Sequence, residues 1–498
     1  MGMIQPAEWF SALAILADPL LWLWIVGGVA IGVIFGATPG LTATAGVAIA
    51  TPLTFGLDFR ASMALLLGIY CGGYFSGSIP AILMNIPGAP GNAATAIDGH
   101  AMARRGEADR AICLAVSASF AGAMFSLVVL ALAAPALAGF ALQFTAVEYA
   151  MLGVFGMTCV AGISGGALGK GVVGAVLGMT LGTVGIDSVG GMERLTLDMP
   201  GLQGGVPLVP ALLAFFALSE LMGQAGESQR GDVLPSQNRA RLGEALAQLL
   251  RRKWLLLKSS MIGTAVGVLP GTGPTIAAWL SYGDAVRSGA RKRRFGEGAE
   301  EGVIAPEAAN NAVTGGALVP LLTLGIPGDT VTAVLIGALL IHGIDPGPFF
   351  MTAQANLFAQ ILMILVFANV AMLAIGLGLR RWLPKILGVP LRILIPLVAV
   401  ICAAGGFAIN NSPFDVGLIA ALGLGGYVLL AFGVPMPPIV IGLVLGPIIE
   451  RNLRDALTVH HMDPMIFVTR PISAALLVVT VATVAVAVYR GRTAARSS

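Results

Sequence analysis

Hydrophobic residues in this chain form long runs that short polar segments separate. Many runs approach the roughly 20 residues that a helix needs to cross a bilayer core. The pattern predicts an all-α polytopic membrane protein with about 11–13 membrane segments, some of them hairpin arms or broken helices, after an amphipathic or partly inserted helix at 1–19. The predicted apolar segments are 20–36, 41–56, 61–79, 111–137, 146–166, 171–186, 207–223, 255–268, 272–283, 308–341, 355–379, 391–409, 416–433, 437–449 and 472–489.

Composition supports this prediction and excludes a soluble protein. Hydrophobic residues make up 57% of the chain and charged residues 11%, whereas soluble domains carry about 25% charged residues. The net charge of +3 is interpreted through loop topology, so no nucleic-acid partner is expected. The four cysteines lie in apolar segments without metal-ligand spacing. No basic residue precedes Arg60, so a cleavable signal peptide is not predicted.

Two stretches of the chain repeat the pattern G-x-x-x-G-x-x-P-G. They are residues 32–40 and 263–271, and their prolines, Pro39 and Pro270, are 231 residues apart. A proline inside a helix removes a backbone hydrogen bond and clashes with the preceding turn. Each stretch therefore predicts a helical hairpin whose two apolar arms meet at the Pro-Gly.

A second pair of stretches reads P-x-x-x-x-x-I-P-G, at residues 80–88 and 320–328. Their Ile-Pro-Gly prolines, Pro87 and Pro327, are 240 residues apart. A continuous helix over 61–103 would be roughly 60 Å long, about twice the hydrocarbon thickness. These stretches therefore predict broken helices, and the near-constant spacing of the two pairs predicts an internal duplication.

Basic residues give the two copies opposite orientations. The second hairpin has Lys and Arg on both sides, at 251–258 and 287–294, whereas the first has only Arg60 nearby. After the broken helices the bias reverses, because 104–110 holds three arginines and 342–350 holds neither Lys nor Arg. Lys and Arg favour the cytoplasmic side. The pattern therefore predicts an inverted repeat and an elevator-type carrier.

The predicted organisation follows from this duplication. It comprises an N-terminal helix (1–19), a first repeat (20–223), a cytoplasmic loop (224–253), a second repeat (254–450) and a C-terminal segment with the last membrane helix (451–498). Arg451 and Arg454 do not fit the charge pattern, so the topology of the last third stays open.

The breaks are where a binding site is expected. Half-helix N-termini present N–H groups and a positive dipole end to anions, and small polar side chains can bind a carboxylate. Unwound carbonyls and a nearby acid can bind Na⁺, which predicts a cation site at Asp329 and Thr323. The predicted substrate-binding residues are Thr38, Pro39, Gly40, Thr42, Asn85, Pro87, Gly88, Asn92, Pro270, Gly271, Thr272, Gly325, Pro327, Gly328 and Thr330.

Ordinary structural roles compete with these assignments. G-x-x-x-G spacing often serves helix packing, and a threonine in an apolar helix often bonds back to its own backbone. Asp329 is equally compatible with a helix cap. Asn310 and Asn311 either line the site or cap a helix. Asp98 and His100 are interpreted as the polar end of a membrane segment.

Short motifs of glycine, proline and polar residues extend over both halves of the chain. They are Gly36-Ala-Thr-Pro-Gly40, Gly72-Gly-Tyr-Phe-Ser-Gly-Ser-Ile-Pro80, Asn85-Ile-Pro-Gly-Ala-Pro-Gly-Asn92, Asp98-Gly-His100, Gly185-Ile-Asp187 with Gly191 and Arg194, Ala217-Leu-Ser-Glu220, Gly267-Val-Leu-Pro-Gly271, Pro306-Glu307 with Asn310-Asn311, Leu324-Gly-Ile-Pro-Gly-Asp329 and Gly442-Leu-Val-Leu-Gly-Pro-Ile-Ile-Glu450. With these motifs the chain resembles, over nearly its whole length, the large membrane subunit of the tripartite tricarboxylate transporters.

The resemblance implies a secondary active importer in a bacterial inner membrane. It implies carboxylate substrates (citrate, other di- or tricarboxylates, or aromatic acids), uptake driven by Na⁺ or H⁺, and no other cofactor. The implied partners are a small membrane subunit and a periplasmic solute-binding protein. The first hairpin reads Gly-Leu-Thr-Ala at 40–43, where relatives are richer in glycine, so the substrate stays open.

The expected mechanism is alternating access, with a carboxylate site near the bilayer midplane where hairpin tips and breaks meet. The main alternative is a stand-alone carboxylate or ion permease without partner subunits, and a passive channel is a further one. An enzyme is not expected, because the sequence contains no H-E-x-x-H, no Cys/His metal spacing and no phosphate-binding P-loop.

Overall fold

The computed structural model describes residues 18–162, 168–187, 190–224, 242–271, 273–288, 295–380, 382 and 391–497. Almost all of the predicted N-terminal helix at 1–19 lies outside the described residues. So do Thr272, residues 225–241 of the predicted cytoplasmic loop and residues 289–294 of the basic stretch.

Helices dominate the described part of the first half. Proline at the first turn and the Asp18 carboxylate, which accepts from Leu20 N at 2.9 Å, begin the first helix. The helices are α1 (Pro19–Ala37), α2 (Ala43–Ala50), α3 (Phe59–Ser76), α4 (Ser78–Met84), α5 (Ala93–Arg104), α6 (Ala108–Ala141), α7 (Ala146–Gly162), α8 (Leu168–Gly182), α9 (Leu208–Leu212) and α10 (Ser219–Gln224). A π-helical turn, Leu213–Leu218, joins α9 to α10.

The second half has the same character. Its helices are α11 (Leu242–Arg251), α12 (Lys253–Val268), α13 (Gly273–Ser288), α14 (Glu301–Leu324), α15 (Thr330–Ile341), α16 (Pro348–Ala353), α17 (Ala355–Gly378), α18 (Leu391–Asn410), α19 (Pro413–Ala431), α20 (Met436–Val459), α21 (Ile466–Thr469) and α22 (Pro471–Ser497). The strands in the described residues are β1 (Gly185–Ile186) and β2 (Glu193–Arg194), which pair antiparallel.

Six of the described helices are long and apolar enough to cross a membrane. They are Pro19–Ala37, Phe59–Met84 (α3 with α4), Ala108–Ala141, Ala355–Gly378, Pro413–Ala431 and Met436–Val459, and shorter apolar helices accompany them. The prediction of an all-α, multi-pass membrane protein is confirmed.

Glycines let the first arm of each hairpin pack closely on the following long helix. A Cβ on Gly32 of α1 would lie 2.4 Å from the Ile69 oxygen of α3. In the second half, a Cβ on Gly263 of α12 would lie 2.2 Å from the Ala309 oxygen of α14. Neither position has room for a side chain. The G-x-x-x-G spacing therefore serves helix packing, as it commonly does in membrane helices.

The two Ile-Pro-Gly breaks have the same backbone geometry. Asn85 ends α4 at φ 57° and Gly325 ends α14 at φ 71°, both in the left-handed region. The next N–H, of Ile86 or Ile326, donates to the carbonyl of Pro80 or Pro320 at 3.3 Å in each case. This acceptor lies six residues before the donor, one residue further back than in the Schellman ending, which also follows a left-handed residue. The first proline of each motif therefore supplies the carbonyl that closes the helix.

Candidate functional site

A cavity of about 240 Å³ lies where the two hairpin tips and the two breaks meet. The first hairpin contributes Thr42 to Thr44, and the second contributes Gly271 and Gly273 to Thr275. The loop after the first Ile-Pro-Gly contributes Ala89 to Gly91, and the start of α15 contributes Thr330. The remaining walls are formed by Gly73, Tyr74, Val160, Phe216, Glu220, Pro435, Pro437 and Pro438.

The first hairpin tip places helix α2 with its N-terminus at the cavity. Gly40 turns the chain at φ 86°, a conformation that glycine adopts without strain. Thr42 then caps α2, because its Oγ1 accepts from Ala45 N at 3.1 Å. The same hydroxyl donates to Glu220 Oε2 at 3.2 Å. The tip is thus connected to α10 by a polar contact inside the cavity.

The second tip is connected to the second break. Gly271 has φ 74°, and its N–H donates to the Gly328 carbonyl at 2.8 Å. Helix α13 begins at Gly273, beside the cavity. Across the cavity, the hydroxyls of Thr44 on α2 and Thr330 on α15 lie 2.8 Å apart. The two halves of the chain therefore contribute one hydroxyl each to a shared wall.

Only some of the predicted substrate-binding residues line this cavity. Thr42, Gly271 and Thr330 do, and Thr272, beside Gly271 in sequence, lies outside the described residues. Thr38 bonds back to the Ile34 carbonyl at 2.7 Å, as threonines in apolar helices often do. The other residues outside the lining, most of which form the turns and breaks, are Pro39, Gly40, Asn85, Pro87, Gly88, Asn92, Pro270, Gly325, Pro327 and Gly328.

The glycines of the breaks support the cavity from behind. A Cβ on Gly88 would lie 2.1 Å from the Gly36 oxygen, and one on Gly328 would lie 2.6 Å from the Gly267 oxygen. In both halves the Ile-Pro-Gly loop thus packs directly on the end of the hairpin's first arm. These residues position the tips without facing the cavity.

Asp329 and Thr323, the predicted cation ligands, have complete hydrogen-bonding partners of their own. Asp329 Oδ1 accepts from Thr332 N at 2.7 Å in a capping box that begins α15. Its Oδ2 accepts from the hydroxyls of Tyr70 at 2.7 Å and Tyr74 at 2.6 Å. Thr323 donates to the Val319 carbonyl at 2.7 Å. In this geometry Asp329 is a helix cap, and its cation role stays a prediction.

The electrostatics of the cavity suit a carboxylate that is bound by neutral donors. Helices α2, α13 and α15 all begin at its wall, and helix N-termini carry unpaired N–H groups and a partial positive charge. None of the described lining residues is Lys, Arg or His, and Glu220 is the one carboxyl among them. The site can thus bind an anion without a buried basic residue.

Sequence reasoning missed Glu220 and Tyr74 as cavity residues. An acid within an apolar membrane segment is a functional candidate on its own, and that signal could have identified Glu220. Asn92, which was predicted to bind substrate, lies behind the wall and donates to Glu307 Oε1 at 3.1 Å. Glu307 is fully buried, and it was noted in the sequence only as part of a motif.

Comparisons with known proteins agree with this architecture. Residues 22–441 match the model of the tripartite tricarboxylate transporter TctA family. An Agrobacterium vitis protein, described as an uncharacterized 52.8 kDa protein in the TAR-I ttuC' 3' region, is 37% identical over 469 residues, which is 94% of this chain and 93% of that protein. A second Agrobacterium vitis protein, in the TAR-II ttuC' 3' region, is 41% identical over 215 residues, 43% of this chain and 89% of that protein.

No solved structure matches the chain. The family match nevertheless covers both hairpins, both breaks and every described residue that lines the cavity. Together with a relative that spans nearly the full length of the chain, it shows that this protein belongs to the TctA family of tripartite tricarboxylate transporters.

Proposed function

We propose that this chain is the large membrane subunit of a secondary importer for carboxylates in a bacterial inner membrane. Its partners are a small membrane subunit and a periplasmic solute-binding protein that delivers substrate. The substrates are di- or tricarboxylates or aromatic acids, and uptake is driven by Na⁺ or H⁺. Family membership supports the transporter class, and the cavity supports the carboxylate.

The observation that carries this proposal is the meeting of both hairpin tips and both breaks at one cavity. Three helix N-termini and the hydroxyls of Thr44, Thr275 and Thr330 lie around it. Hydrogen bonds to a charged group contribute about 1.5–3 kcal/mol each, and helix N-termini add a favourable field. A carboxylate bound in the cavity against both Thr44 and Thr330 would take its donors from both halves of the chain.

Alternating access follows from the same arrangement. The matched helix endings at Asn85 and Gly325, and the matched packing of Gly88 and Gly328, support an internal repeat, and the opposite Lys and Arg bias of the two copies supports its inversion. The hairpins and broken helices would move as one unit against the remaining helices, in the manner of an elevator. Broken helices at membrane depth are tolerated where protein or a watery cavity satisfies the freed backbone groups.

Uptake measurements test the site assignment. The chain is expressed with its own small membrane subunit and solute-binding protein, and labelled citrate, succinate and benzoate are the probes. The double variant Thr44→Val plus Thr330→Val keeps side-chain volume and removes both hydroxyls. We expect the apparent KM of the transported probe to rise about tenfold or more, since each lost bond to a charged ligand is worth at least about 1.4 kcal/mol.

Thr314→Val is the matched control, because the Thr314 hydroxyl bonds to the Asn311 carbonyl at 2.7 Å inside α14. It should transport like the wild type. An unchanged apparent KM in the double variant would show that this cavity is not the carboxylate site. Uptake that persists without either partner subunit would instead favour a stand-alone permease.

A further inference from the structure

Glu307 lies in α14, one layer behind the cavity, and is fully buried. Its Oε1 accepts from Asn92 Nδ2 at 3.1 Å and Thr95 Oγ1 at 2.7 Å. Its Oε2 accepts from Ser119 Oγ at 3.0 Å. All three donors are neutral side chains, so this carboxylate has no compensating positive charge among the described residues. A buried carboxylate is costly when its charge is uncompensated.

The donors around Glu307 differ in kind from those around another buried acid of the same bundle. Asp98 Oδ1 accepts three backbone N–H groups from residues 296–299 at 2.8–2.9 Å, and Oδ2 accepts from the Tyr282 hydroxyl at 2.9 Å. A backbone N–H can only donate, so those three groups offer no lone pair to a cation. Hydroxyls rotate and amides turn over, so the groups around Glu307 can present lone pairs instead.

Asn92 has an unused acceptor at this point. Its Oδ1 is buried without a hydrogen-bond partner, while its Nδ2 also donates to the Tyr74 carbonyl at 3.4 Å. Rotation of the amide would place Oδ1 beside the Glu307 carboxylate and the Tyr74 carbonyl. Such a group of acceptors is favourable only when a cation or a proton lies among them.

The set of available oxygens fits a monovalent cation. It comprises one carboxylate, two hydroxyls, one amide oxygen and one main-chain carbonyl, all hard ligands. The Tyr74 carbonyl and the Ser119 hydroxyl already accept from Asn310 Nδ2 at 3.1 Å and Asn311 Nδ2 at 2.8 Å, and each keeps a second lone pair. Among the described residues there is no cluster of three or more His, Cys, Asp or Glu side chains that could hold a metal ion. A single negative charge matches a single positive one and provides too little charge for a tightly held divalent ion.

The hydrogen-bond partners of the Glu307 carboxylate include no ionisable side chain among the described residues. None of the described titratable side chains on the elements that pack against α14 bonds to it. These side chains are Arg60, Tyr70, Cys71 and Tyr74 on α3, Asp98, His100 and Arg104 on α5, Asp109, Arg110 and Cys113 on α6, Lys253 and Lys258 on α12, Tyr282, Asp284 and Arg287 on α13, and Asp329 before α15.

We propose that Glu307, with Asn92, Thr95 and Ser119, binds the monovalent cation, Na⁺ or H⁺, whose movement drives uptake. The inference rests on the proposed function as a secondary carrier. Glu307 belongs to a helix of the second half, whereas Asn92 and Thr95 belong to the first, so the cation joins the two halves. Asn92 directly follows Pro90 and Gly91, which line the cavity. Occupancy of the cation site is therefore transmitted to the substrate site through this loop.

Ion binding by the purified full-length chain in lipid nanodiscs tests the proposal without any carboxylate. NaCl is titrated against choline chloride at constant ionic strength while the thermal midpoint is followed, since a ligand that binds the folded state stabilises it. A second arm varies pH in choline chloride. Na⁺ binding gives a saturable stabilisation in the first arm, and proton binding gives a response in the second arm alone.

We expect the response to Na⁺ to be lost in Glu307→Gln, or, if the proton is the ion, the pH dependence to be reduced to what the other titratable groups contribute. Thr95→Val removes one ligand at nearly constant side-chain volume, and should raise the ion concentration at half-saturation about tenfold. Thr314→Val is the matched control on the same bundle, and should stay within about twofold of the wild type. If Glu307→Gln does not fold, the test is the ion concentration at half-saturation in Thr95→Val compared with that in Thr314→Val.

An ion response of unchanged size in Glu307→Gln, an unchanged half-saturation in Thr95→Val, or no response of the wild type in either arm would overturn the proposal. The proposed function can fail separately. Ion binding that disappears in Glu307→Gln, in a protein that transports none of the carboxylate probes, would support the cation site while removing the substrate class.

Discussion

Two sets of acidic side chains in this protein differ in their partners. The arginine-paired acids are Asp109, Glu148, Asp187, Glu300, Glu301 and Glu450, and each has an arginine nitrogen within 2.8 Å. The arginine-free acids are Glu220, Glu307 and Asp329. They lie at or behind the cavity and accept only from neutral groups in the described structure.

The difference shows which acids stabilise the fold through an ion pair and which keep a charge that a bound ligand can balance. Asp109, Glu148 and Glu301 occupy the first turns of their helices, where an acid complements the helix dipole. Their arginines come from distant elements, so each pair holds a helix end in place. Around the cavity no arginine serves this purpose. The charge there can be balanced by whatever the protein binds.

The largest effect on stability is expected from a buried member of the arginine-paired acids. Glu148 is 1% exposed and accepts from Arg470 Nε at 2.6 Å, from Thr145 N at 2.9 Å and from the Thr145 hydroxyl. Glu148→Gln removes the charge from all three bonds. Because Arg470 is 34% exposed, water offsets part of the loss, and we expect about 2 kcal/mol of destabilisation.

Unfolding by sodium dodecyl sulfate in mixed micelles measures this change. Glu450→Gln is the matched control, since Glu450 pairs with Arg194 but is 30% exposed, and it should cost less than about 1 kcal/mol. Equal losses in the two variants would remove the distinction between buried and exposed members of this set. Both variants, once folded, should bind citrate as the wild type does.

For Glu220, the arginine-free acid that lines the cavity, we expect a change in ligand binding with little change in stability. Two like charges about 5 Å apart repel by roughly 3 kcal/mol at an effective dielectric constant of about 20. Since Glu220 is only half-buried, part of this is screened. Glu220→Gln should therefore bind citrate about tenfold more tightly at alkaline pH in the absence of Na⁺, with stability nearly unchanged.

Calorimetric titration of the purified chain with citrate checks the sign. Glu193→Gln, an exposed acid on β2, is the control and should leave affinity unchanged. Weaker citrate binding in Glu220→Gln would show that the carboxylate accepts a hydrogen bond from the substrate or holds a cation beside it. It would then be part of the attractive surface of the site.

The hairpins and breaks could be predicted from the sequence because their cause is local. Proline removes a helix bond and glycine permits the turn, so the helix ends at Asn85 and Gly325 follow from the motifs themselves. Helices end and begin around Gly40 and Gly271, as the two predicted hairpins require. Their roles as cavity residues, in contrast, depend on distant contacts.

The partners of the polar cavity side chains could not be predicted from the sequence, because they lie far away along the chain. Thr42 meets Glu220 across 178 residues, and Thr44 meets Thr330 across 286. Asn85 and Asn92 are both asparagines next to the first Ile-Pro-Gly, so the sequence does not distinguish them. In the structure Asn92 is buried against Glu307, whereas Asn85 is exposed. Local pattern locates a break, but only packing decides which of its side chains faces a ligand.

The smallest effect is expected from an exposed pair on the second hairpin. Lys258 Nζ lies 2.8 Å from Asp284 Oδ2, with side chains 55% and 21% exposed. Exposed ion pairs contribute about 0–1 kcal/mol, because water screens the attraction and ordering the side chains costs entropy. Lys258→Ala should therefore change the free energy of unfolding by no more than about 0.5 kcal/mol, and less still at high salt.

The Arg252–Glu301 contact in the same region is the comparison that gives this small number its meaning. Its distance is 2.6 Å and its side chains are only 21% and 5% exposed. Arg252 also lies 2.8 Å from Glu300 Oε2, so Arg252→Gln weakens both pairs and should cost about 1–2 kcal/mol. Both substitutions are measured in the same micelles at low and high salt. If Lys258→Ala cost as much as Arg252→Gln, burial would not be what separates effective from ineffective charge pairs here. The contrast between arginine-paired and arginine-free acids would then have to rest on geometry alone.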